Sequence, residues 1–124
     1  MKKSENQFYV MLCIMKTLIS SAVMLLFLSN SYAAEAELLH ANEWSVPKQS
    51  TTILAMPAIH KSMSKLQKNV NSVLKLKYPG GDEGTLWVNE LRSWLIALGL
   101  SSSRIELVQG SAISTTIELE VLFN

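Results

Sequence analysis

The chain has 124 residues, a formal net charge of +1 and a hydrophobic content of 48%, which together indicate one small domain. This charge balance lacks the basic excess typical of nucleic-acid binding, so we expect no nucleic-acid partner. Cys13 is the only cysteine. No intrachain disulfide can form, and packing must stabilise the fold.

The N-terminus is typical of a secretory signal. An apolar run over residues 17–28 follows Lys16 and precedes the small-residue stretch SNSYAAEA, so we expect cleavage after Ala33 and a signal peptide over residues 1–33. The alternative is one retained anchor over residues 8–28. Lys16 would then lie in its middle, where a charge costs roughly 2.5–3.5 kcal/mol.

Cleavage leaves 91 of the 124 residues with a formal net charge of −1, enough for a single domain with a modest core. Met15 is an alternative translation start, because the sequence from Met15 alone has the features of a signal. We expect residues 34–41 to be a flexible segment and residues 42–124 to be the folded domain. The predicted location is the periplasm, with membrane contact only through an uncleaved signal.

The first half of this domain predicts a strand and then a helix. The stretch NEWSVPK predicts a short first strand with Trp44 and Val46 on one face, ended by Pro47. A helix with Pro57 in its first turn follows, because a 3.6-residue period places the apolar residues Met56, Ile59, Met63, Leu66 and Val70 on one side. The opposite side contains Lys61, Lys65 and Lys68, which form either a solvated face or an anion-binding patch.

The second half predicts strand, helix, strand, strand. SVLKLKY alternates with Leu74, Leu76 and Tyr78 inward, and the helix that follows ends at Gly99. Its apolar side comprises Trp87, Leu91, Trp94, Leu95 and Leu98. SSSRIELVQG predicts the third strand, and TTIELEVLF predicts a fourth with Ile117, Leu119, Val121 and Phe123 on one face. The order β-α-β-α-β-β predicts a two-layer α/β sandwich with both helices on one face of the sheet.

The stretch YPGGDEGTLW between the second strand and the second helix contains three glycines. It lacks a dinucleotide fingerprint, because Pro79 takes the place of the first glycine, and it lacks a phosphate loop, because no lysine follows Gly84. Asp82 and Glu83 fall in the first helical turn, where they complement the macrodipole and Asp82 can cap an N–H group. We expect a strand-to-helix turn with glycines at positive φ; the alternative is a ligand loop.

The sequence contains no constellation typical of an enzyme. His40 and His60 are too far apart for metal-ligand spacing, and the serines at 101–103 follow a helix end, where serine is common. Asp82 and Glu83 are adjacent, so they do not face each other across a substrate. We therefore expect no catalytic residues, no metal and no cofactor.

Three stretches resemble the C-terminal domain of OmpA-like envelope proteins: LKLKYPGGDEG, ELRSWLIALGLSSSRIELVQGS and the final IELEV. The resemblance covers roughly residues 42–121, and its closest part is ALGLSSSRI at residues 97–105. It implies a mixed four-stranded sheet in which the fourth strand lies beside the second. The outward charges Lys75, Lys77, Glu118 and Glu120 are complementary for that placement.

The family binds the diaminopimelate of peptidoglycan through a turn aspartate and a helix arginine, and this sequence departs from that pattern. Asp82 is the only candidate for the aspartate, Trp87 stands at the arginine position, and Arg92 lies about a turn and a half later. We therefore expect an accessory or protein-interaction domain of the envelope. The alternative is an atypical peptidoglycan-binding domain that uses residues 78–87.

Two sets of candidate binding residues follow. For a ligand at the turn and helix start they are Gly81, Asp82, Glu83 and Arg92. For a protein partner they are Leu86, Arg92 and Ile96, because Ile96 projects opposite the apolar side of the second helix and Leu86 lies off that side.

Overall fold

The computed structural model describes residues 6–7, 9–14 and 35–124. The chain divides into two units, Met1–Ala33 and Ala34–Asn124, and the second contains the fold described below. Residues 6–7 and 9–14 are helical, and no helix among the described residues is long and apolar enough to cross a membrane. Met15, the apolar run at 17–28 and the predicted cleavage point lie outside the described residues.

The second unit is an α+β domain with four strands and four α-helices. The strands are β1 (Glu37–His40), β2 (Val73–Tyr78), β3 (Ile105–Gln109) and β4 (Thr116–Leu122). The helices are α1 (Ala41–Trp44), α2 (Ser50–Ala55), α3 (Pro57–Lys68) and α4 (Gly81–Ala97), with a 3₁₀ turn at Ser102–Arg104. The two long helices, α3 and α4, are the two that the sequence predicts.

The sheet is mixed, with strand order β1-β4-β2-β3. Strand β4 runs antiparallel to both β1 and β2, whereas β3 is parallel to β2. The predicted position of the fourth strand beside the second is confirmed. Lys75 Nζ lies 2.6 Å from Glu120 Oε2, and Lys77 Nζ lies 3.8 Å from Glu118 Oε2.

The core lies between the helices and one face of this sheet. On α3 the buried residues are Ala58, Ile59, Ser62 and Leu66; on α4 they are Gly84, Val88, Leu91 and Leu95. Trp87, Trp94 and Leu98 flank the α4 group and are only partly buried. Two predicted core residues are exposed, Val70 at 76% and Phe123 at 60%, because each lies just beyond the end of its element.

The first strand was predicted in the wrong place. NEWSVPK begins within helix α1, and the strand is the preceding ELLH, so the prediction of a flexible segment over residues 34–41 is wrong for residues 37–41. Strand β1 is held because Leu39 is fully buried in the core and the Ala41 amide donates to the Thr115 carbonyl at 2.9 Å. The prediction that Trp44 and Val46 share one face of a strand is wrong, because Trp44 is buried at the end of α1, whereas Val46 lies beyond that helix and is 41% exposed.

Two lysines of α3 fix the edge strand β1 to the helix layer. Lys65 Nζ lies 3.1 Å and Lys61 Nζ 3.4 Å from the two carboxylate oxygens of Glu37. Burial opposes ionisation of Glu37, but hydrogen bonds and charge from Lys65 and Lys61 outweigh it and lower the pKa of this carboxyl. These two lysines are therefore ion-pair partners within the fold, neither a merely solvated face nor an anion-binding patch.

Candidate functional site

The turn between β2 and α4 uses its glycines for backbone geometry. The predicted positive φ is confirmed for Gly81, at +89°, but not for Gly80, at −65°, or for Gly84. A Cβ atom on Gly84 would lie 1.9 Å from the Pro79 carbonyl oxygen, so only glycine permits this close approach. The N-cap residue of α4 is Gly80 and no side chain caps the helix, so the predicted capping role of Asp82 is wrong.

A cavity of about 580 Å³ opens beside this turn, at the end of the sheet. Three separate parts of the chain form its wall: the turn with the first two turns of α4, the loop between β3 and β4, and the first residue of α1. The lining residues are Ala41, Pro79, Gly80, Glu83, Gly84, Trp87, Ser111, Ala112, Ser114 and Thr115. Most of these side chains are small or absent, which is why space remains between the three segments.

Glu83 is the only charged residue in this lining. It is exposed, and no described residue forms an ion pair with it. The indole of Trp87 is partly buried rather than largely buried as expected, and its Nε1 is a buried donor without an acceptor. The cavity thus combines one carboxylate, an aromatic wall and the hydroxyls of Ser111, Ser114 and Thr115.

The structure separates the residues predicted to bind a ligand. Glu83 lines the cavity, whereas Gly81, Asp82 and Arg92 do not. On an α-helix Asp82 projects about 100° away from Glu83, and Arg92 projects about 140° away from Trp87. No carboxylate and guanidinium are brought together at the turn.

A second hollow, of about 620 Å³, adjoins the cavity. It is lined by His40, Ala41, Asn42 and Thr115, and it shares Ala41 and Thr115 with the first. His40 Nδ1 lies 3.4 Å from Thr116 Oγ1. Sequence reasoning missed this hollow, because it placed His40 in a flexible segment and no local motif indicates that ELLH pairs with a strand nearly eighty residues later.

Helix α1 is positioned against α4 by a three-residue cluster. Trp44 Nε1 donates to Glu90 Oε2 at 3.0 Å, and Lys48 Nζ lies 3.5 Å from Glu90 Oε1. The Lys48 ammonium also lies 4.9 Å from the centroid of the Trp44 ring, within cation–π range. This cluster ties the end of α1 to the middle of α4, while the Ala41 amide at the start of α1 donates to the Thr115 carbonyl.

The outer face of α4 carries the predicted partner-binding residues. Leu86 is 72% and Ile96 39% exposed, as predicted from their positions off the apolar side. Leu86 lines a shallow hollow of about 510 Å³ together with Trp94, whereas Ile96 and Arg92 lie outside it. Ten residues of helix separate Leu86 from Ile96, about 15 Å along the axis, so the three residues do not form one compact patch.

The remaining polar candidates are engaged locally or exposed. Ser101 Oγ lies 2.9 Å from Ser103 Oγ, and His60 is exposed on α3. Within residues 6–7, 9–14 and 35–124, no three metal-binding side chains lie together. The arrangement suits recognition by hydrogen bonds and one negative charge.

No family model, curated protein or solved structure matches the chain.

Proposed function

We propose that this protein is a small exported, non-enzymatic domain of OmpA-like architecture that serves in the periplasm as an interaction module for another envelope protein. The OmpA-like sequence stretches support this architecture, and the position of β4 between β1 and β2 agrees with it. One observation supports the functional part of this proposal: the lining of the cavity at the turn contains Glu83 and no basic side chain. A zwitterionic amino acid requires a donor for its carboxylate as well as an acceptor for its amine.

Binding is favoured over catalysis by the partners of the hydroxyl groups. Ser111 Oγ donates to the Ile113 carbonyl at 2.9 Å, so its proton is directed to the backbone and not to a base. An activated serine needs a general base within hydrogen-bond reach. The Ser111 hydroxyl is therefore not held as a nucleophile.

A second candidate function is atypical peptidoglycan binding in the same cavity. Its support is that Glu83 and Trp87, from the loop and helix start over residues 78–87, both line the cavity. In this hypothesis Glu83 accepts hydrogen bonds from the diaminopimelate amine, and the ligand carboxylate meets the uncapped amides at the start of α4.

Cosedimentation with isolated peptidoglycan sacculi separates the two candidates. A charge-assisted contact contributes roughly 1.5–3 kcal/mol, so a site without the arginine should bind about one to two decades more weakly. We expect residues 34–124 to stay in the supernatant at micromolar concentration, while an OmpA-like control domain pellets. A different result would contradict the proposed function and favour the second candidate: the domain pellets with sacculi, Glu83→Gln abolishes this pelleting, and Asp82→Asn does not.

A further inference from the structure

The two adjoining hollows have the dimensions of one extended binding groove. Each is within the range of about 300–1,000 Å³ that holds a drug-sized ligand, at about 580 and 620 Å³. Ala41 and Thr115 line both, so the hollows meet at this hydrogen-bonded pair, and an extended ligand that lies against Glu83 in the first would cross the pair to reach Asn42 in the second. A single amino acid would fill only one end.

We propose that this groove receives an extended peptide segment of the partner protein, with a lysine or arginine of that segment placed at Glu83. The proposal rests on the interaction function proposed above and adds the site and the chemical class of the ligand.

The shape of the lining favours a peptide backbone. Ala41 and Ala112 present only a methyl group, and side chains this small permit close approach by another main chain. The polar groups around them, on Ser114, Thr115, Asn42 and His40, are hydrogen-bonding side chains that can pair with backbone amides. Trp87 is the only aromatic ring in either lining apart from the imidazole of His40, so there is no extended stacking platform for sugar rings.

The charge of the lining favours a cationic residue at one end. Glu83 is the only carboxylate in the two hollows, and neither contains a lysine or an arginine. The ring of Trp87 is one helical turn from Glu83, and an aromatic face beside a carboxylate is a favourable environment for an ammonium or guanidinium group. An acidic residue at the same position would meet like charge.

The matched pair Glu83→Gln and Asp82→Asn tests this placement, because both residues are acids in the first turn of α4 and only Glu83 lines the groove. The experiment is an NMR amide-shift titration of ¹⁵N-labelled residues 34–124, the unit that contains every buried core residue of the described chain. The probes are three mixtures of end-blocked short peptides, randomised except for a central lysine, glutamate or glutamine.

We expect the lysine mixture to shift amides on both hollows, at residues 40–42, 80–87 and 111–115. Its apparent affinity should exceed that of the glutamate mixture by about two- to fivefold, as for an exposed ion pair. Glu83→Gln should remove this preference with the remaining spectrum unchanged, and Asp82→Asn should retain it.

Four results would overturn the proposal: no shift with any mixture, shifts confined to one hollow, equal affinity for the lysine and glutamate mixtures, or free lysine binding as tightly as the peptides. Free lysine binding as tightly as the peptides would mean that the groove binds a small amine and not a peptide. Absence of peptide binding together with absence of sacculus binding would reject the groove and leave an interaction surface elsewhere. Cosedimentation with sacculi would instead reject the proposed function itself.

Discussion

Arg104 should be the most sensitive polar residue of this domain. From the 3₁₀ turn before β3, its guanidinium reaches the C-terminal end of α3 and the turn that follows. It donates to the carbonyls of Ser72 at 2.9 Å, Leu66 at 3.0 Å and Asn69 at 2.9 Å, and to Ser72 Oγ at 3.1 Å. One side chain thus links the last turn of α3, where helical carbonyls lack intrahelical partners, to the turn at Asn69–Ser72, whose Asn69 carbonyl also accepts from the Ser72 amide and hydroxyl.

Replacing Arg104 with methionine keeps much of the apolar stem and removes all four contacts. Hydrogen bonds to charged groups contribute about 1.5–3 kcal/mol each when measured singly, but bonds from one group are not additive. Because Ser72 is fully buried, its oxygens would find no water in exchange. We expect a loss of about 2–4 kcal/mol in the free energy of unfolding, a melting temperature lower by roughly 10–25 °C for a domain of this size.

Urea unfolding and calorimetry of residues 34–124 measure this loss, with Arg92→Met as the matched control. Arg92 forms no hydrogen bond or ion pair with the described residues, so its substitution should change stability by less than about 0.5 kcal/mol. Arg104→Lys should be intermediate, because an ammonium cannot reach acceptors in several directions at once. Equal losses for Arg104→Met and Arg92→Met would show that the four contacts of Arg104 do not stabilise the fold.

Three further predictions concern the sheet, its edge strand and export. Substituting lysine for both Glu118 and Glu120 should lower the melting temperature, and adding Lys75→Glu and Lys77→Glu should recover part of this loss. Simple additivity of the two double substitutions would argue against coupling between β2 and β4. Glu37 has a lowered pKa in the fold, so its stabilising contribution is present above the unfolded pKa of about 4.5 and is lost as the pH falls through the folded value. Glu37→Gln should therefore make the free energy of unfolding less dependent on pH in the acid range. An unchanged pH dependence would contradict the ion pairs of Glu37 with Lys61 and Lys65. Intact-mass measurement of protein from the periplasm should show a chain without its first 33 residues, whereas a full-length membrane-bound species would disprove export.

Long periodic segments of this sequence predicted their structure, and short ones did not. The start of α3 at Pro57 and the end of α4 before Gly99 were both predicted, because each apolar pattern repeats over several turns. Gly99 has φ of +105°, as a residue that ends a helix often does. NEWSVPK has only two apolar residues in alternation, so a period of 2 cannot be distinguished from a helical period. The edge strand ELLH is defined by its pairing with β4, and pairing over that sequence distance leaves no local pattern.

The residues most important for the site and for stability could not be identified from the sequence, for physical reasons. Arg104 binds main-chain carbonyls, which every residue has, so no partner residue in the sequence marks its role. The groove is an empty volume between three segments, and its position depends on the path of the backbone at Ala41, Gly80 and Ala112. By contrast, the charge complementarity of β2 and β4 was predicted, because the resemblance implied that these strands are neighbours and the alternating pattern placed Lys75, Lys77, Glu118 and Glu120 outward.

The glycines of the turn connect the fold to the proposed function. Gly84 is required because any side chain would collide with the Pro79 carbonyl, so the glycine is fully explained by packing and does not by itself indicate a ligand. The backbone of both Gly80 and Gly84 nevertheless lines the groove beside Glu83 and Trp87. A side chain at Gly80 would approach Gln109 Nε2 to 2.9 Å, a contact with a flexible group that can move. A methyl group at Gly80 would therefore displace only the Gln109 side chain, whereas at Gly84 it would displace the backbone that forms the turn.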